Sequence, residues 1–86
     1  MNAMHKRERA RMARDMGVRL KALRLAAGYP SAAAYGRFLR VPPSTVRRCE
    51  AGRLVATHRV LALALALAKK TGASLDWFIC GTGAPP

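Results

Sequence analysis

Three breaks limit how long any regular element in the middle of this chain can be. Gly28 followed by Tyr29-Pro30 closes a helix, because glycine takes the left-handed closing conformation and proline cannot extend the helix. Arg40-Val41-Pro42 interrupts the chain again, since a residue before proline is pushed away from the helical region. Pro43 suits the first turn of a new helix, where its missing N–H costs nothing, and Gly52 is the third stop. Only short segments fit between these points. Ser31 is a good N-cap followed by three alanines, which predicts a helix from Ser31 to about Leu39. Residues 43–51, PSTVRRCEA, predict the next.

Upstream of the first break, Met16, Leu20, Leu23 and Ala27 recur at helical spacing, while Arg19, Lys21 and Arg24 mostly take other faces. Downstream, an apolar helix is expected from about Thr57 to Lys70, ended by Thr71-Gly72. Ser74 then caps one last turn, Leu75 to Phe78, before a GTGAPP tail. The Leu-Ala alternation over 61–68 has the period of a strand, but Ala and Leu are the best helix formers and no β-branched residue interrupts them. On a helix, Leu63 and Leu67 lie roughly 160° from Leu61 and Leu65. So small a domain rarely buries both stripes, so one is expected in the core and the other against a second copy. Leu63, Leu67, Trp77 and Phe78 are the candidates for that dimer surface, with core packing the plainer reading of the two aromatics. These elements predict an all-α, compact five-helix bundle: a flexible basic arm over 1–14, open to becoming the start of a helix and reading equally as a solvated face or as a phosphate-tracking segment, a helical domain over 15–80 and a short tail over 81–86.

The chain has 86 residues, enough for one small domain that is only marginally stable alone. Sixteen Lys and Arg against four Asp and Glu leave a formal charge of +12, which seeks a polyanion. A hydrophobic share of 51% excludes a disordered basic tail, and 6% aromatic residues argue against a base-stacking sheet. Cys49 and Cys80 are too few and too far apart for a disulfide scaffold, and with His5 and His58 they make no metal-ligand spacing. Cys49 reads as a small buried hydrophobe and His58 as a surface residue. The charged first residues, including Lys6, Arg7, Arg9, Arg11 and Arg14, lack the apolar stretch of a secretory signal. The longest apolar run, Val60 to Ala68, is far short of a membrane span. No nucleophile–base pair or phosphate-cradling glycine loop is visible, so neither an enzyme, a cofactor, a metal nor a small-molecule ligand is expected. The cationic arm and the apolar fourth helix are separate segments, which weakens a membrane-active reading.

Two short helices joined by a tight break, the second rich in Ser, Thr and Arg, make a helix-turn-helix pattern. GVRLKALR in the first helix, GYPSAAAYGRFLRVPPSTVRRCEAG through the motif and TGASLDWFICGTG at the end resemble the lambda-repressor-like (Cro and phage-repressor, or XRE) DNA-binding domains. The resemblance spans about Gly17 to Gly83. It implies that Gly36 sits where the second and third helices cross closely, that Tyr35, Leu39, Val41 and Val46 pack these helices on the first, and that Arg24 and Glu50 form an internal ion pair. It also implies that the third helix enters the major groove, with Pro43, Ser44, Arg47 and Arg48 over base edges. Arg48 is the preferred reader, because a guanidinium can bond guanine O6 and N7 together. Phosphate contacts are expected from Ser31, Ala32, Arg37, Arg40, Thr45 and Arg53.

Three positions depart from the family pattern. Arg40 stands where many relatives have the turn glycine, Pro42 replaces the usual Ser or Thr cap, and Ala32 replaces a frequent Gln. The function implied is a cytoplasmic, nucleoid-associated regulator that binds double-stranded DNA at a palindromic operator as a homodimer. Its two reading helices would lie about 34 Å apart. An antitoxin that binds a toxin and its own operator is the alternative, though GTGAPP is a short tail for holding a toxin.

Overall fold

Gly28 adopts φ +94°, and the chain closes around it as a Schellman turn. The Gly28 N–H donates to the Leu25 carbonyl and the Tyr29 N–H to that of Arg24, both at 3.1 Å. This turn ends the first of five helices found among the described residues of a computed structural model, which describes the backbone of residues 3–53 and 58–86. The helices are α1 (Ala3–Ala26), α2 (Ala32–Leu39), α3 (Pro43–Glu50), α4 (His58–Thr71) and α5 (Leu75–Cys80). The fold is all-α. The expected start of the fourth helix at Thr57 and the expected exposure of His58 lie outside the described residues.

The segment expected as a flexible arm is instead helical from Ala3, so α1 is 24 residues long. No glycine or proline precedes Gly17, and the Arg, Ala, Lys, Glu and Met that fill this stretch are strong helix formers. Its high charge suggested an arm, but propensity decides the backbone.

The other helix ends follow from single residues. The Ser31 hydroxyl accepts the Ala34 N–H at 3.0 Å to start α2, and Ser74 does the same for Trp77 at the start of α5. Pro42 offers α3 no side-chain cap, and only its carbonyl helps, accepting the Thr45 N–H at 2.9 Å. The tail folds back on α5, with the Ser74 N–H donating to the Ala84 carbonyl at 2.9 Å.

α1 is the spine, in contact with α3, α4 and α5, while α2 packs on α3. Met16, Leu20 and Leu23 of α1 meet Tyr35, Val46 and Cys49 from the middle helices, and Val60, Leu63, Ala64, Leu67, Ala68 and Phe78 from the last two. Leu63, Leu67 and Phe78 are thus core residues, 5%, 1% and 0% exposed, and are not available as a dimer surface. The stripes of α4 are separated as expected, but the buried one is the reverse of the expectation. Val60, Leu63, Ala64, Leu67 and Ala68 complete an i, i+3, i+4, i+7, i+8 face toward α1, and Leu65 points outward. Trp77 is half-buried against the same core.

Two polar ties hold the layers. The Tyr35 hydroxyl donates to the Leu63 carbonyl at 2.8 Å, joining α2 to α4. Burial pushes the Tyr35 phenol well above its usual range, with Tyr29 and then Glu50 adding to the effect. Arg19 of α1 donates to the carbonyls of Phe78 and Ile79, both at 3.2 Å, and so caps the C-terminal end of α5.

Candidate nucleic-acid interface

α3 is divided lengthwise. Val46 and Cys49, three residues apart, are 0% and 2% exposed and point into the core. Ser44, Arg47 and Arg48 are exposed, and Pro43 is half-buried at the first turn. The four expected base readers therefore share the outer side of one short helix, Pro43 and Ser44 in its first turn and Arg47 and Arg48 in its last. Thr45 is half-buried beside them.

The end of this helix is clamped to α1. Arg24 Nε and Nη2 donate to the two carboxylate oxygens of Glu50 at 2.7 and 3.2 Å, and Nη1 reaches the Tyr29 carbonyl at 2.8 Å. The side chains are only 5% and 10% exposed, so the two charges are desolvated together and each depends on the other. One guanidinium thus holds the α1 terminus and the last turn of α3.

Glycines allow the helices to come this close. A Cβ on Gly17 would collide with the Glu50 carbonyl oxygen and lie 2.8 Å from that of Cys49. Gly52, at φ +73°, runs against the Arg14 backbone, where a Cβ would meet Cα at 2.8 Å. On the other side, a Cβ on Gly36 would approach the Val41 carbonyl oxygen to 2.6 Å and the Pro43 Cα to 3.4 Å. Gly36 therefore makes room for the turn itself. Sequence reading placed Gly36 at the close crossing of the two helices but gave Gly17 no role. The signal was there: a lone glycine inside an otherwise strong helix marks a close backbone approach.

Arg40 occupies the left-handed region at φ +58°, the one non-glycine residue with positive φ among those described. Its N–H donates to the Arg37 carbonyl at 3.3 Å, and the Val41 N–H bonds that of Gly36 at 2.8 Å. The turn keeps its register, and the missing glycine shows up as an unusual backbone conformation instead.

The residues expected at phosphates lie around this core. Ser31, Arg37, Arg40 and Arg53 are exposed. Ala32 is 8% exposed with its methyl group in the core, so only its backbone N–H, at the first position of α2, can serve a phosphate. Arg53 lines one shallow surface depression together with Arg47, Arg48 and Ala51. Sequence reading missed two further features of this side. Phe38 is 65% exposed and packs its ring 5.4 Å from that of Tyr29. Lys70 sits 4.5 Å over the Tyr29 ring and bonds its hydroxyl.

A short helix that is clamped to α1, exposes arginines on its outer side and follows another short helix across a tight turn defines a helix-turn-helix unit. A family model described as a helix-turn-helix domain matches residues 15–78, and the chain belongs to that family, in keeping with the XRE and Cro-like resemblance. No curated protein and no solved structure matches the chain. Among the described residues no helix is long and apolar enough to cross a membrane, and no group of His, Cys, Asp or Glu is arranged to hold a metal ion.

Proposed function

We propose that this protein is a sequence-specific, double-stranded-DNA-binding transcription regulator that represses by occupying promoter DNA. The carrying observation is the divided α3: one side is committed to the core through Val46 and Cys49, while Ser44, Arg47 and Arg48 face outward. A helix fixed this way presents its side chains to a groove from a backbone already ordered, so only the side chains are ordered at the moment of binding. Arg48 reads guanine, Arg47 and Ser44 read neighbouring bases, and Pro43 packs against the groove edge. The α2 N-terminus, Arg37, Arg40, Thr45 and Arg53 hold phosphates and set the register.

The operator is palindromic and the working form a homodimer, in the cytoplasm with the nucleoid. With Leu63, Leu67 and Phe78 in the core, only half-buried Trp77 remains of the four residues expected at the contact with a second copy, beside the outward Leu65 of α4.

Fluorescence anisotropy at physiological salt tests this reading, comparing the gene's own upstream DNA with a scrambled duplex. The expected preference is roughly 10³-fold or more. Arg48→Ala should remove about 1–3 kcal/mol of it while leaving scrambled-duplex binding nearly unchanged. Equal binding to both duplexes, unaltered in the variant, would reject recognition of that site by α3.

A further inference from the structure

The N-terminal part of α1 is helical but contributes little to the fold. Residues 5–12 are all exposed, and among the side chains described the first core residue of α1 is Ala13. Stepping back from Ala13 and Met16 along the buried face by one and two turns reaches Arg9, Met12 and Lys6, so the core stripe gives way to cations. A helical stretch exposed over eight residues and dominated by charge gains little from the core, so its persistence invites another reason.

Its charges are ordered. Arg7, Arg11 and Arg14 recur at i, i+4 and i+7 and therefore share one side of the helix, where they line a common surface depression with Glu8 and Ala10. That side adjoins, at its Arg14 end, the one on which α3 lies, and Arg11 also borders Ile79 and Cys80 of α5. Gly17, one turn beyond Arg14, faces the Glu50 and Cys49 carbonyls, and the Arg14 backbone itself abuts Gly52. Arg53, next in the chain, shares its depression with Arg47 and Arg48. The arginines thus form a band that leaves the outer side of α3, passes Arg53 and the α1–α3 contact, and continues along the extension through Arg14, Arg11 and Arg7.

We propose that this extension is a second DNA-binding element, gripping the sugar-phosphate backbone of the same duplex beyond the base pairs that α3 reads. The inference rests on the DNA-binding reading above. Residues 3–14 extend about 18 Å at 1.5 Å per residue, long enough to follow several successive phosphates. Guanidinium groups suit phosphate oxygens, and several of them in a row along one helix match a run of phosphates. A membrane surface is the poorer fit, because an interfacial helix needs a broad apolar face and residues 5–12 offer only Ala10 and Met12.

The test compares the full-length wild type with Arg7→Gln/Arg11→Gln/Arg14→Gln and with Arg48→Ala, measuring affinity against salt on a long random-sequence duplex and on one of about 10 base pairs. All three side chains are exposed, so in the triple variant circular dichroism should be unchanged and the melting temperature no lower than the wild type's, with relief of self-repulsion raising it if anything; together they serve as the folding control. On long DNA the log–log salt slope of the triple variant should fall by about 3, from about 0.9 per lost phosphate contact. The wild type should lose affinity on shortening the DNA, and the triple variant should lose far less. An unchanged slope on long DNA, with Arg48→Ala still lowering preference for the upstream site, would overturn the extension's role and leave the proposed function standing. Failure of the wild type to bind either duplex would overturn both. Binding of anionic phosphatidylserine vesicles lost in the triple variant, with DNA affinity retained, would reassign the band to a membrane surface.

Discussion

Arg40 carries a cost that a glycine would not. Its φ of +58° places an L-residue in the left-handed region, unfavourable by about 1–2 kcal/mol, against which glycine loses some 0.5–1 kcal/mol through unfolded-state entropy. Arg40→Gly should therefore stabilise the fold by about 0.5–1 kcal/mol, read as a higher urea midpoint at unchanged slope. The same substitution should weaken binding to specific and random DNA alike, if Arg40 holds a phosphate. The departure from the family's turn glycine was visible at once, but whether backbone or register would absorb it was not. The bonds from Arg40 to Arg37 and from Val41 to Gly36 keep the register, so the backbone yields. Glu50 behaves differently. Glu50→Gln leaves the Arg24 guanidinium buried against a neutral partner, and a loss of about 3–5 kcal/mol is expected in thermal or chemical unfolding.

The layers depend on close approach and on buried polar ties. Gly17→Ala should raise the intrinsic propensity of α1 by about 0.8–1 kcal/mol, yet its methyl would meet the Glu50 carbonyl. The net effect expected is destabilisation together with weaker specific DNA binding, because α3 must shift away from α1. Tyr35 links α2 to α4, and its phenol titrates above its usual range when folded. The folded state thus retains the proton more tightly than the unfolded chain. The stability this gives is complete below about pH 10 and is lost as pH rises beyond it. Tyr35→Phe should flatten that alkaline decline and cost about 1 kcal/mol at neutral pH, measured by denaturation across pH.

Helix boundaries here were legible because Gly28, Ser31, Pro43, Gly52 and Ser74 act locally. The buried face of α4 was not, since Leu-Ala alternation offers two nearly equal stripes. Val60 adds a residue to the Leu63 and Leu67 side, and the tie breaks only when Phe78 and α1 arrive to cover it.

For the molecule as a whole, charge is the dominant unbalanced term. With a formal +12 on 86 residues, the folded state repels itself, and raising salt from low to physiological strength should raise the melting temperature. Duplex DNA should raise it further by binding the folded form, so a calorimetric scan with and without DNA separates screening from binding. The reading residues could be proposed from sequence because a resemblance located them. For the extension of α1, sequence allowed a solvated face and phosphate tracking alike, because a run of cations looks the same whether it is a loose arm or a helix whose arginines align.

The division of α3 has a practical consequence. Fold and address are written on opposite sides of the same eight residues: Val46, Cys49 and Glu50 belong to the scaffold, and Ser44, Arg47 and Arg48 touch little of it. The outward positions can therefore be randomised as a library on an unchanged framework. If α3 reads DNA as proposed, such a library would yield a set of mutually insulated regulators, each addressed to its own operator.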